Sequence, residues 1–398
     1  MAGKDAALDS GSGDTGAADT DTDTGKPVDT SVDTGTDTGT DTGTGPDFMR
    51  ADYTGVTRLV LVVAAEDAAP EDAAEVYVLE PGQTTLTAVG GLSVRADSRL
   101  GCAGDSAWVL QGYNDATISD EIIRINAESA AVVSTWSVGT MRDPRAIESV
   151  GDRWWVAGWG KARLQTFSEA GAEGSPIDLS AYSDSDGRPE PVAFAEEGDH
   201  VYVALANFTS VGAVYNPGRI VKVESATGSV LADYPMLGSN PDGTVWRWGT
   251  SMYVVHASTV TALGVQMDGG VEVVDLSGSG SGAWIVDATG VTTLIDVALG
   301  RDVDDMWVAT PADPPLAKVE HILADGAALQ SWTAPTDLVA MEIHGTHIFT
   351  AEDHITNDYV LERDGVTGQV ITDVDLPGRV QQMTLCAAYD SEAADSGV

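Results

Sequence analysis

The chain has 398 residues and a formal net charge of −42, from 62 Asp plus Glu against 20 Lys plus Arg, with 44 Gly and only 5 Phe. Charge of that sign is repelled by nucleic-acid phosphates and anionic membrane surfaces, so neither is an expected partner. No apolar run reaches the ~18 residues of a helical membrane span; the longest, residues 59–65, has the length of one strand.

Residues 1–52 are of low complexity, as in DTGTDTGTDTGTG at 33–45. They hold 12 Asp and no Glu against Lys4, Lys26 and Arg50. Nothing there builds a core, so a disordered spacer kept extended by self-repulsion is expected. A calcium-binding Asp repeat is the sharper alternative, but without fixed turns it has weak affinity. The segment resembles the Asp/Thr/Gly spacers that follow the lipidated cysteine of bacterial surface lipoproteins. That resemblance implies a tether, possible lipidation upstream, and a location outside the cell, at the bacterial surface or in the periplasm. The cysteine itself is absent, and Met1 is followed by AGKDAALDSG rather than an apolar leader, so the expected native start lies upstream or a leader has been removed.

From residue 53 to 388, short apolar runs recur between Gly, Asp, Ser and Pro. The clearest unit spans 143–179, with runs at 145–150, 153–158, 162–167 and 176–179, which predict one antiparallel four-stranded sheet. A lone sheet cannot cover both its faces, so copies must flank it. The second strand recurs at 59–65, 107–111, 153–158, 200–205, 251–256, 305–310 and 346–351. First strands precede six of these, at 96–102, 145–150, 191–196, 244–248, 293–299 and 337–343, and the seventh, 379–386, stands at the end of the chain. The offset predicts an all-β, seven-bladed β-propeller in which the C-terminal strand becomes the innermost strand of the first blade. The expected organisation is therefore a spacer at 1–52, the propeller at 53–388 and a short polar tail at 389–398.

The alignment sets the only two cysteines, Cys102 and Cys386, at the ends of first strands in neighbouring blades. A disulfide there closes a very long loop, worth roughly 4 to 5 kcal/mol in the chain-entropy model, and implies an oxidising compartment. Two unrelated buried thiols are the alternative.

Residues 121–147, EIIRINAESAAVVSTWSVGTMRDPRAI, resemble the repeat of YVTN-type β-propellers, in which a strand ends in Val-Gly before a Pro-containing approach to the next blade. VYVAL at 201–205, MWVAT at 306–310, MYVVH at 252–256 and WWVAG at 154–158 are similar to the strand that names the family, although its Thr-Asn half is missing. The likeness covers about residues 56–388 and implies the propeller fold. ATG at 226–228 and VTG at 366–368 are similar to quinoprotein-type blades, without a set of quinone ligands.

Three clusters are candidates for chemistry. His344 and His347 flank Gly345-Thr346, so a hairpin turn sets two imidazoles opposite each other as metal ligands, with Glu342 or Asp353 together with His354 to complete the site. Asp184 and Asp186 in DSDG resemble the opening of a calcium loop, although Glu190 comes too early for the distal ligand of an EF-hand. The acidic turn RDVDD at 301–305 is a weaker cation candidate. No cofactor is fixed by these clusters; calcium at the Asp184–Asp186 turn is the candidate, with a transition metal at the His pair as the other. Trp246 and Trp248 share one face of a first strand and are candidates to line the channel mouth, where aromatic rings suit glycan or apolar ligands. No Gly-x-Ser-x-Gly elbow between strand and helix is present, and SGSGSG at 277–282 reads as a loop.

These features favour a non-catalytic, secreted or surface-tethered monomer that binds an extracellular protein, glycan or small ligand through loops on one face. The alternative is a propeller enzyme, lactonase-like or lyase-like, with a divalent cation at the channel mouth, because propeller sites are assembled from distant blades.

Overall fold

The computed structural model describes residues 55–387 other than 114–115, 141, 210–213, 257–258, 262–263, 267–268, 279–281, 288–295, 300–305, 312–316, 324, 335–336 and 354–357. The spacer 1–52, the tail 389–398, His354 and the acidic turn at 301–305 lie outside the described residues.

Seven four-stranded antiparallel sheets stand around a ring as a β-propeller. Their innermost strands are Arg379–Cys386 in blade 1, Arg99–Ala103 in blade 2, Pro144–Val150 in blade 3, Pro191–Glu197 in blade 4, Pro241–Trp248 in blade 5, Asp296–Leu299 in blade 6 and Asp337–His344 in blade 7. Second strands are mostly apolar and buried because each sheet is covered on both faces by its neighbours. Ser106–Gln111 is buried at every position and Arg58–Ala64 at all but its first. Outer strands have one wet side, so Ala131–Gly139 is largely exposed, alternating exposed and buried residues only toward its C-terminal end. Among the described residues no helix is long and apolar enough to cross a membrane.

Ring closure is as the strand count predicts. Arg379–Cys386 pairs antiparallel with Arg58–Ala64, setting Leu59 opposite Leu385 and Leu61 opposite Met383. Cys102 and Cys386 form a disulfide across 284 residues of sequence, with 5.4 Å between their Cα atoms. It joins blade 2 to the closing strand of blade 1.

Boundaries differ where turns compete with strands. The inner strand of blade 2 begins at Arg99 rather than 96, because Ala96 and Ser98 donate their N–H groups to Asp72 and Arg95 carbonyls in a turn. The outer strand of blade 1 runs on to Arg95 rather than stopping at 89, through a register shift opposite Glu75 and Tyr77 that absorbs Gly90 and Gly91. Two small hairpins, Phe208–Thr209 with Val214–Tyr215 and Thr259–Thr261 with Gly264–Gln266, are inserted between the second and third strands of blades 4 and 5. Pairs of two or three residues are too short to show a period.

Blades are held together by apolar clusters and a few buried polar bonds. Between blades 2 and 3, Trp108 lies 5.1 Å from Trp136 and 4.6 Å from Trp154 by ring centroids, and Phe167 stacks on Trp136 at 6.0 Å. Gln165 Nε2 donates to the Val138 carbonyl at 2.9 Å across the same interface. Between blades 4 and 5, the buried Glu272 carboxylate accepts the Leu237 and Gly238 N–H groups at 2.8 and 2.9 Å and lies 3.0 Å from His256 Nε2.

Two stability outcomes follow. Cys386→Ser is expected to lower Tm by on the order of 10 °C, and reductant is expected to do the same to the unsubstituted chain, because several kcal/mol of loop-closure stabilisation is lost. Gly171 has φ +76°, and a Cβ there would lie 2.4 Å from Trp136 Cδ1. Gly171→Ala is therefore expected to cost about 2–4 kcal/mol in denaturant unfolding, from left-handed strain plus displacement of the Trp136 ring.

Candidate ligand-binding face

Because every inner strand runs the same way, the propeller has one face where inner strands begin and one where they end. The connection from the outer strand of blade 2 to the inner strand of blade 3 crosses the first of these faces and carries Arg142 and Asp143. Asp120, fully buried at the start of the third strand of blade 2, fixes it. Its carboxylate accepts the Arg142 and Asp143 N–H groups at 2.5 and 2.6 Å through Oδ2 and the Tyr113 N–H at 2.7 Å through Oδ1. From the other side, Trp159 N–H donates to the Asp143 carbonyl at 2.9 Å and Gly160 N–H to the Arg142 carbonyl at 3.0 Å. A Cβ on Gly158 would lie 2.6 Å from the Arg142 carbonyl oxygen, so only glycine permits this approach.

The pinned loop separates two cavities. One, of about 270 Å³, lies where the inner strands of blades 1, 2 and 3 begin and is lined by Arg99, Arg145, Gln381, Gln382, Asp97 and Asp143 among others. Arg145 Nη2 bonds Asp143 Oδ2 at 2.6 Å, and its guanidinium lies 5.3 Å from the centre of the Trp159 ring. The other, of about 510 Å³, is lined by Arg142, Lys161, Ala162, Arg163, Pro176 and Asp178. Burial and the positive charge of Arg163 push the Arg142 guanidinium below its usual range.

The Asp184–Asp186 loop reaches the same face before blade 4. Asp184 Oδ1 accepts the Asp186 N–H at 2.9 Å, Asp186 Oδ1 accepts the Arg188 N–H at 3.0 Å, and Asn216 Nδ2 lies 3.5 Å from Asp184 Oδ2. Glu190, which the sequence left aside, is the carboxylate buried beside them. It is fully buried with φ +44°, and one oxygen accepts the Phe208 N–H at 2.9 Å. Burial first, and then the charge of Asp186, push its carboxyl up to about 8. No group of three or more His, Cys, Asp and Glu placed to hold a metal ion occurs among the described residues.

His344 and His347 lie on the opposite face and are paired across the Gly345–Thr346 turn. His347 Nδ1 sits 2.5 Å from Glu362 Oε1, a partner from the third strand that sequence spacing did not reveal. His344 is half-buried, and burial and the neighbouring His347 depress its pKa. Trp246 is buried with Tyr253, Val255, Val297 and Met306 between blades 5 and 6, and Trp248 packs on the same cluster.

No family model and no curated protein sequence matches the chain. Among solved structures it is similar to a candidate 6-phosphogluconolactonase from Bacteroides fragilis, at 12% identity and TM-score 0.53 over 82% of this chain and 98% of that one. A second candidate 6-phosphogluconolactonase, from Bacteroides uniformis, matches at 13% identity and TM-score 0.54 over 82% and 99%. At such identity the likeness shows the propeller fold alone.

Glu190 gives the face a measurable pH signature. Its folded-state pKa, about 8, lies above the ordinary 4.5, so the native state holds the proton more tightly than the unfolded chain. Its contribution to stability is complete below pH 4.5 and is lost as pH rises through 8. Tm measured across pH 4.5 to 8.5 is expected to carry this decline, and Glu190→Gln is expected to flatten it.

Proposed function

We propose that the chain is a non-catalytic binding propeller of YVTN type, secreted or tethered at the cell surface, that takes a small ligand, glycan or protein on the face where its inner strands begin. The observation that carries this reading is the Arg142–Asp143 loop, immobilised by its two N–H bonds to Asp120 and by two carbonyl bonds to Trp159 and Gly160, with a cavity on either side. A loop whose backbone is fixed before a ligand arrives loses little entropy on binding. The carboxylates here are committed to structure: Asp120 to backbone N–H groups and Asp143 to Arg145, an arrangement suited to holding side chains in place. The second strands that carry the YVTN-like motifs, among them Arg153–Gly158, His200–Leu205 and Met306–Pro311, all stand at the same place in their blades, which supports the family reading. The disulfide supports an oxidising compartment.

The test is a thermal-shift screen of the full chain against neutral and acidic glycans and small metabolites, followed by affinity measurements on any ligand found. Arg145→Ala or Lys161→Ala is expected to weaken binding about 10-fold, ~1.4 kcal/mol, and His347→Ala on the opposite face to leave it unchanged. Loss of binding with His347→Ala alone, or turnover of the bound compound, would overturn the proposal.

A further inference from the structure

We infer that the cavity of blade 3 is an oxyanion subsite in which Arg142, Lys161 and Arg163 grip the carboxylate, phosphate or sulfate group of a small organic acid. The inference rests on the reading that this face takes the ligand and adds the chemical class of what is taken.

Three cations meet at one cavity in a chain that has about three carboxylates for every cation. Several other arginines are matched: Arg124 pairs with Asp105 and Glu169, Arg219 with Asp233, Arg247 with Glu197 and Arg363 with Glu352. Arg142, Lys161 and Arg163 make no ion pair among the described residues. Arg142 Nε and Nη1 and Arg163 Nε are buried without a hydrogen-bond partner. Buried N–H groups of this kind are costly unless a ligand or water accepts from them.

The carboxylates facing the trio are engaged elsewhere. Asp120 accepts three backbone N–H groups, Glu173 accepts Gln165 Nε2 at 3.2 Å, and Asp178 Oδ1 accepts the Ser180 N–H at 2.9 Å. Asp178 stands directly opposite Arg163 in the strand ladder and yet forms no ion pair with it. What remains is a pocket of donors with a deficit of acceptors.

Its geometry suits an organic anion. Two guanidinium groups offer planar forks that match an oxyanion with paired bonds, and Lys161 adds a point charge. A volume of about 510 Å³ is small-molecule sized and exceeds the needs of a bare inorganic ion. Ala162 and Pro176 supply an apolar wall for a carbon body. The net charge of −42 opposes the approach of an anion, but at physiological salt that field is screened beyond about 8 Å, so cations in contact decide affinity.

The experiment is calorimetric titration and thermal shift of the full chain with sulfate, inorganic phosphate and glucuronate, each against chloride at equal ionic strength. Saturable binding and a Tm rise above the chloride control are expected, with the strongest of the three probes identifying the preferred acid. The double variant Arg142→Gln/Arg163→Gln is expected to weaken binding at least 10-fold, while Lys222→Gln on blade 4 leaves it unchanged. Without ligand, the double variant should melt at the same temperature or higher, because repulsion between the two guanidinium groups is gone. No saturable binding at tens of millimolar, binding untouched by the double variant, or a double variant that melts well below the parent would each overturn the inference. If the oxyanions fail while a screened ligand is still lost with Arg145→Ala, only this inference falls; if that ligand needs neither cavity, the reading of the face falls with it.

Discussion

The pairing of Arg58–Ala64 with Arg379–Cys386 is the constraint on which the molecule depends. A blade is buried on both sides only while the ring is complete, and completeness rests on one ladder joining the two ends of the propeller. Leu59, Leu61 and Val63 pack with blade 7 on one side of that sheet, while Val60, Val62 and Ala64 pack with blade 2 on the other. Opening the ladder would expose both clusters to water at once. The disulfide protects this junction, since it joins the closing strand to blade 2 rather than reinforcing a contact already local in sequence.

Within the ring, polar groups are used sparingly and at fixed places. Gln165, Glu272 and Asp120 all lie on third strands and reach backbone groups of a neighbouring strand or loop. The first two fasten the outer strand of one blade to the next. Asp120 instead reaches the inter-blade connection, and so turns a packing device into a platform. The same buried carboxylate therefore serves fold and site, because the loop it holds carries the side chains that line both cavities.

Fold was legible in the sequence because it is periodic. The unit at 143–179 and the solitary strand at 379–386 sufficed to count blades and to bring Cys102 toward Cys386. The site was much less legible, because the first cavity joins residues far apart in the chain, Gln382 with Arg99 and Arg145. Trp246 looks like a ligand platform when only its strand is considered, yet the strand register turns it into the packing between blades 5 and 6. The Gly-Thr turn between His344 and His347 could be read, whereas Glu362 comes from the next strand of the sheet and has no fixed spacing from either. One local signal was present: Arg142, Arg145, Arg153, Lys161 and Arg163 place five of the chain's 20 cations within 22 residues. In so acidic a chain that excess marks blade 3.

The register of the closing ladder also has a mechanical meaning. Arg58 lies opposite Cys386, at the end of the ring away from both cavities. A pull on the chain from its N-terminal side enters the propeller at that point and meets a residue bonded covalently to Cys102. Load crosses the hydrogen bonds of that strand pair and then continues from Cys386 through sulfur into blade 2, so the closing strand is not torn away alone. Tension entering at Arg58 is thus shared between two blades by way of the Cys102–Cys386 bond.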